Sequence, residues 1–205
     1  MEYLNAYVVG GDGSYYPMLK AFGYEITTEM EKAHLVVFTG GADVSPSLYS
    51  CAAHKQTSYS PNRDMVEQRE YVKAKALGIP MLGICRGGQF LNVMNGGIMY
   101  QHVSDHCGDH LITDVLTGFS YVASSTHHQM MKPAKNALLV AYSTLQGTRE
   151  WFDGVTPCQD VSDQDIEVIY YEESKCLCFQ PHPEFSGYVY LKEYLHELLS
   201  RLGMK

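Results

Sequence analysis

The sequence is short of positive charge. Fifteen Lys and Arg stand against 23 Asp and Glu, a formal net charge of −8 at pH 7. That balance excludes nucleic acid as a partner, because phosphates are met by a basic face. Long apolar runs are also missing. No stretch approaches the roughly 20 residues that span a bilayer, so no membrane partner is expected. The first residues, Met1 to Gly10, carry neither a basic region nor an extended apolar core, and no secretory leader is expected. Without a leader, the six cysteines read as reduced thiols and the cytoplasm as the compartment. The segment Gly10-Gly11-Asp12-Gly13 lacks the Gly-Lys-Ser/Thr of a phosphate loop and the third glycine of a dinucleotide loop. It reads as a β–α turn at the mouth of a sheet. Internal repeats, linkers and low-complexity segments are absent as well.

What is present suits a globular chain. The 205 residues, 45% apolar and 19% charged, fit one domain over residues 1–205. A chain of this length buries roughly 70% of its unfolded surface, enough for a core without staples. Short apolar runs bounded by turn residues predict strands at Leu4–Val9, Leu35–Thr39, Met81–Ile84, Leu138–Tyr142, Ile166–Tyr171 and Cys176–Gln180. Asp64 followed by Glu67 reads as a capping-box start, with Gly78 closing that helix. Tyr188, Leu191, Leu195, Leu198 and Leu202 share one helical face, with Ser186 as cap and Gly203 as stop. Alternating strands and helices in the first half imply an α/β fold with a parallel sheet covered on both sides. Strand and turn signals from Ile98 to Tyr171 predict an antiparallel extension, and Phe152–Asp165 reads as a surface loop.

The most informative stretch is Pro80-Met81-Leu82-Gly83-Ile84-Cys85-Arg86-Gly87-Gly88-Gln89. An apolar run climbs to a cysteine with glycines at minus two and plus two, and a helix-compatible segment, Arg86–Met94, follows. This pattern places a nucleophile on a strained strand-to-helix turn, where bulky neighbours do not fit. Cys85 then lies at the positive end of a helix, which suits a thiolate. Gln180-Pro181-His182-Pro183-Glu184 supplies an imidazole and a carboxylate two positions apart. A nucleophile, a base and an orienting group are the parts of acyl-transfer chemistry. The ordinary alternatives are a buried core thiol and a satisfied histidine at a strand end.

Further motifs carry a resemblance. Gly40-Gly41-Ala42-Asp43-Val44-Ser45-Pro46-Ser47-Leu48-Tyr49, Arg63-Asp64 with Glu67, Leu91-Asn92-Val93 through Gly96-Gly97 to Gln101-His102, and Ser125-Thr126-His127-His128-Gln129 occur in that order. Together with the Cys85 and His182 segments, they resemble the class I glutamine amidotransferase-like proteins. The likeness is greatest to their γ-glutamyl amide hydrolase, peptidase C26 branch, and it spans roughly residues 35–190. That branch usually has an aromatic or similar residue where this chain has Pro181. The resemblance implies a three-layer, flavodoxin-like, mostly parallel sheet with a small antiparallel extension. It implies a triad of Cys85, His182 and Glu184, an oxyanion hole from the N–H groups of Gly41 and Arg86, and substrate contacts from Gln89, Ser125, Thr126 and His127. No cofactor is expected.

The implied reaction is hydrolysis of a small γ-glutamyl amide or of glutamine. The alternatives are a glutaminase subunit serving a separate synthetase, and a catalytically silent binding protein of the same fold. A homodimer is compatible with each. Metal binding is not expected. His102, His106, Cys107, His110 and His127-His128 have ligand types, but no Cys-x2-Cys pair accompanies them and the segment reads as loop. Cys176 and Cys178 fall on one strand face as small apolar residues. The leaving-group side is expected at Tyr49–Tyr59, with His54, and in the loop after Trp151; no arginine cluster there favours a polyglutamate tail.

Overall fold

The computed structural model describes residues 4–145, 147–161 and 163–205. In chain order the strands are β1 (Leu4–Val8), β2 (Tyr24–Ile26), β3 (Leu35–Phe38), β4 (Met81–Ile84), β5 (Ile98–Tyr100), β6 (His102–Val103), β7 (His110–Asp114), β8 (Ser120–Ala123), β9 (Met130–Lys132), β10 (Leu138–Ser143), β11 (Thr148–Asp153), β12 (Thr156–Val161), β13 (Asp165–Tyr171) and β14 (Cys176–Phe179). The helices are α1 (Tyr16–Ala21), α2 (Pro61–Leu77), α3 (Arg86–Met94) and α4 (Val189–Arg201). All six predicted strands and the helix after Cys85 form where the sequence placed them.

Nine strands make the main sheet in the order β2-β1-β3-β4-β14-β13-β10-β7-β8. The first five are parallel, and their order is that of a flavodoxin-like doubly wound sheet. β13, β10, β7 and β8 continue it antiparallel. β12-β11-β6 and β5-β9 are small separate sheets.

Burial on both faces accounts for the continuous apolar strands. Leu35 and Val37 of β3, with Leu177 and Phe179 of β14, face a core completed by Met18 and Leu19 of α1 and Leu191, Leu195 and Leu198 of α4. Their neighbours Val36, Phe38, Cys176 and Cys178 point the other way, onto Tyr71 and Ala74 of α2 and Phe90 and Leu91 of α3. The period of two along each strand therefore produces a three-layer molecule.

Three local readings change. Phe152–Asp165 is not a loop: β11 and β12 form a hairpin across the turn at Gly154, with register Trp151↔Cys158 and Phe152↔Pro157. Ser186 does not cap α4, which starts after Tyr188 without a side-chain cap, although its apolar face is as expected. Asp64 and Glu67 lie inside α2, whose N-cap is Ser60, and both are buried. They serve a long-range contact described below. None of the described helices is long and apolar enough to cross a membrane.

Asp114, fully buried at the end of β7, fastens α4 to the antiparallel extension. Its carboxylate accepts from Tyr194 Oη at 2.7 Å, Arg201 Nη2 at 2.5 Å and Thr117 N at 2.8 Å. Burial favours its neutral form, but the bonds from Arg201, Tyr194 and Thr117 outweigh burial and hold the carboxyl below the usual range. A lowered folded-state pKa contributes stability above the unfolded value near 3.8, and that contribution disappears as pH falls. Asp114→Asn is therefore expected to cost about 2 kcal/mol at pH 7 in urea unfolding, with the deficit shrinking below about pH 4. A deficit that grew in acid would contradict this assignment.

Candidate active site

The site sits at the carboxyl ends of three adjacent parallel strands, β3, β4 and β14, where ligands of open α/β sheets bind. β4 delivers Cys85, which takes φ 51° and ψ −114° as the N-cap of α3. The two flanking glycines are a packing requirement. A Cβ on Gly83 would lie 2.3 Å from the carbonyl oxygen of Gly87, and one on Gly87 would lie 2.1 Å from that of Phe38. Strand, turn and helix therefore meet backbone to backbone, and Cys85 takes up the strain at the apex. Its amide donates to Phe179 O at 2.8 Å, which ties the turn to β14.

β14 leads into His182, whose Nδ1 lies 2.6 Å from Glu184 Oε1. Cys85 lies beside the same ring, the two side chains meeting at Gly40. Pro181 leaves this arrangement intact. Burial disfavours charge on His182, but the hydrogen bonds and negative charge of Cys85 and Glu184 prevail and push its pKa from 6.5 up to about 10. Three residues that the motifs did not point to complete the frame. Ser124 Oγ accepts from His182 N at 2.8 Å, Phe185 stacks on the imidazole with ring centroids 4.5 Å apart, and the Tyr15 hydroxyl accepts from Gly40 N at 2.9 Å. Tyr15 also lies beside the Glu184 carboxylate, and its own pKa is raised, first by burial and then by that charge. Ser124 adjoins a recognisable motif. Phe185 likewise follows Glu184 directly, whereas Tyr15 has no signal in the sequence, because only the folded chain brings it to the site.

The loop after β3 faces this dyad. Gly41 has φ 140°, and a Cβ there would collide with Arg63 Nη1 at 2.1 Å. Arg63 Nη2 donates to Thr39 O at 3.0 Å and Arg63 Nε to Glu67 Oε1 at 2.9 Å. The Arg86 side chain turns away from the cleft, 1% exposed. Its guanidinium pairs with Asp64 and Glu67 and donates through Nε to Ala42 O at 3.1 Å. Burial, with the like charge of Arg63, pushes its pKa down to about 10 despite the carboxylates. The Arg86 amide belongs to the first turn of α3, where N–H groups have no partner within the helix.

A cleft of about 210 Å³ opens in front of Cys85, bounded by Gly41, Asp43, Ser58, Gln89, Thr126 and His128. His127 also reaches its wall. Gln89 donates through Nε2 to Gln129 O at 3.2 Å and to Gln180 Oε1 at 3.0 Å, leaving its carbonyl oxygen as the group it can offer. Ser125 is turned away. Its hydroxyl donates to His106 O at 2.5 Å, and its carbonyl accepts from Gly108 N at 3.1 Å. Asp43 and His128, 3.3 Å apart, form the outer rim. Burial raises the Asp43 pKa, and the Ser58 amide and His128 only partly offset it. Tyr49 is buried in the core and Tyr59 is exposed, so neither is a wall of this cleft. The β11–β12 hairpin packs on the neighbouring loop through Ala52 N to Gly154 O at 2.7 Å. A larger hollow of about 560 Å³ lies between β8 and the start of α4, lined by Phe119, Tyr121 and Tyr190, and Cys85 is not among its lining residues.

Comparison with known proteins follows the same outline. The sequence model of the peptidase C26 family matches residues 15–184. A Mycobacterium tuberculosis protein named "Putative glutamine amidotransferase" is 33% identical over 141 residues, 59% of this chain and 46% of that protein. A "Putative glutamine amidotransferase-like protein" of Lactococcus lactis is 31% identical over 170 residues, 73% of this chain and 65% of its own length. The chain thus spans less than two thirds of either relative. Among solved structures, a glutamine amidotransferase from Thermotoga maritima superposes with TM-score 0.61 at 13% identity, covering 100% of this chain and 87% of that one. The structure of PurLQS from the same organism gives 0.64 at 16% identity, covering 98% of this chain and 100% of its match. At such identity the structural likeness shows the fold.

Because the folded-state pKa of His182 lies above its unfolded value, the charged ring contributes stability in full below pH 6.5, and this fades as pH rises through about 10. In an NMR titration the His182 ring is expected to hold its proton past pH 8. Cys85→Ala and Glu184→Gln should each move the midpoint down toward 6.5. A wild-type midpoint at 6.5 would remove the ion pair from the site.

Proposed function

The chain belongs to the peptidase C26 family, and on that premise we propose that it hydrolyses γ-glutamyl amides through a cysteine-bound intermediate. The observation that carries the proposal is the strained Cys85 with His182 beside it and Glu184 2.6 Å behind the ring. In this reading the Cys85 sulfur attacks the γ-carbonyl carbon, forming a C–S bond and an oxyanion. The amides of Gly41 and Arg86 stabilise that charge, as pre-aimed donors do in acyl transfer. The oxyanion collapses, the C–N bond breaks, and His182 gives its proton to the departing amine. Water, deprotonated by His182, then attacks the thioester and releases glutamate and the thiolate. Glu184 keeps the Nδ1 proton in place throughout.

The cleft is sized for an amino-acid group. With both Gln89 amide protons engaged, its carbonyl is suited to accept from the substrate α-ammonium, and the backbone of Thr126 and His127, with the Thr126 hydroxyl, is left for the α-carboxylate. Ser125 contributes by fixing that segment. On the leaving side Asp43 and His128 suit a small donor-bearing amine. Arg63, whose guanidinium lies beside Gly41, is committed to Thr39 and Glu67.

The names of the curated relatives favour a second reading, a glutaminase that passes ammonia to a separate synthetase. Steady-state assays separate the two. The isolated chain is expected to release amine from small γ-glutamyl amines without help, with kcat/KM above that for folate polyglutamates. Cys85→Ala should lower kcat by at least about a thousandfold. Near-normal activity in that variant would overturn the mechanism. Sluggish turnover that recovers only with an ATP-using partner would favour the second reading. If iodoacetamide labelled Cys85 no faster than the other thiols, with no protection by a glutamine analogue, the protein would be a silent member of the fold.

A further inference from the structure

Behind the cleft lies a second cluster that the proposed chemistry does not use. His106, His127 and Glu167 each present one ligand atom to a common point, and these atoms all lie within 4.8 Å of one another. All three side chains are buried: His106 1% exposed, Glu167 0% and His127 5%. His106 Nδ1, His127 Nε2 and Glu167 Oε2 have no hydrogen-bond partner among the described residues. Unpaired polar atoms so deep in a protein are costly.

The surrounding bonds determine which atoms are free. His127 Nδ1 faces Gln129 O at 2.9 Å, an acceptor only, so the ring donates there and its Nε2 keeps a lone pair. His106 Nε2 faces Asp165 Oδ2 at 2.8 Å, so that ring donates to the carboxylate and its Nδ1 keeps a lone pair. His110 Nε2 donates to Glu167 Oε1 at 2.9 Å, which leaves Oε2. Each ring thus points a bare nitrogen inward and donates from its far side to a carbonyl or carboxylate. Metal-ligating histidines are held in this way. Asp165 and Glu167 are both fully buried, and among the described residues the nearby fixed cation is Arg149, 3.7 Å from Asp165 Oδ1. A dication there would face two buried carboxylates, Asp165 and Glu167, beside one guanidinium and the His110 ring that Glu167 holds.

The geometry points to a structural divalent transition-metal site, of the zinc class, formed by His106 Nδ1, His127 Nε2 and a Glu167 oxygen. Two imidazoles and a carboxylate suit zinc better than calcium or magnesium, which prefer oxygen shells. With ligand bonds near 2.0–2.1 Å, a tetrahedral site has edges of roughly 3.3 Å. The widest present spacing of 4.8 Å therefore closes by side-chain movements on the order of 1 Å. The fourth position falls to water or the second Glu167 oxygen. Such an ion would pin the segment bearing Thr126 and His127 to β13. The sequence expectation of no metal rested on cysteine pairs and loop spacing. Glu167, about forty residues beyond His127 and about sixty beyond His106, is the partner that expectation did not weigh.

The test uses untagged full-length chain carrying Cys85→Ser, so that the active-site thiol binds nothing, after removal of metal by chelator. Zinc titration is expected to show one equivalent bound and a raised Tm, and Co²⁺ is expected to give the visible absorption of a tetrahedral site. His106→Gln and, as the near-isosteric choice, Glu167→Gln should each weaken binding by at least tenfold. Asp165→Asn should weaken it less. Binding of less than one equivalent, or equal affinity in wild type and both ligand variants, would overturn the site. A Glu167→Gln protein stabilised without metal and indifferent to zinc would show a cluster held by protons, and would equally overturn it.

Discussion

The site depends on one buried guanidinium. Arg86 follows Cys85 in sequence, yet its side chain runs away from the cleft into the carboxylates of Asp64 and Glu67. Those two residues also hold the opposite side of the site: Asp64 accepts from the Ser45 amide and hydroxyl, and Glu67 accepts from Arg63, which in turn clasps Thr39. The elbow and the glycine loop are thus moored to the same turn of α2. Removing one partner of such a buried pair strands a charge at a cost of about 3–5 kcal/mol. The Phe90 ring, 5.1 Å from the guanidinium carbon, closes the remaining face. Placement of the Gly41 amide relative to Cys85 is therefore an electrostatic matter as much as one of loop shape.

The antiparallel half of the sheet does a different job. Parallel strands bring the dyad and the glycine loop together at their carboxyl ends, but they supply no wall on the far side. β7, β10 and β13 extend the sheet so that the segment from Ser124 to Gln129 can fold back over α3. There Ser124 steadies His182, and Gln89 reaches Gln129. The acidic and imidazole groups beneath that segment come from β7, the connection before it and β13, outside the flavodoxin-like core.

What the sequence revealed follows from the range of each interaction. The six apolar strands and the helix after Cys85 are set by local pattern and double-sided burial, and they were legible. β2 is only three residues long, Tyr-Glu-Ile, too short to show a period. β12, with Pro157, Gln159 and Asp160, is a strand because β11 pairs with it; its own residues favour a loop. Asp64 and Glu67 looked like a helix-start device, since i and i+3 spacing is local. Their partner lies about twenty residues away, and only folding brings it near. The same holds for the site. The Cys85 and His182–Glu184 segments were visible as motifs, whereas Tyr15 carries no pattern that distinguishes it from a core aromatic.

The elbow glycines have a consequence for lineage. Gly83 and Gly87 are demanded by the contact of β4 with α3 and of α3 with β3, whatever side chain stands between them. A descendant that exchanged Cys85 for another residue would still need both. Selection on folding alone would thus preserve the frame of the motif long after selection on chemistry had lapsed. In a family tree of such chains, glycines at these two places record the shared architecture. The residue midway between them, where this chain has Cys85, is free of that packing demand and can change while the frame stays.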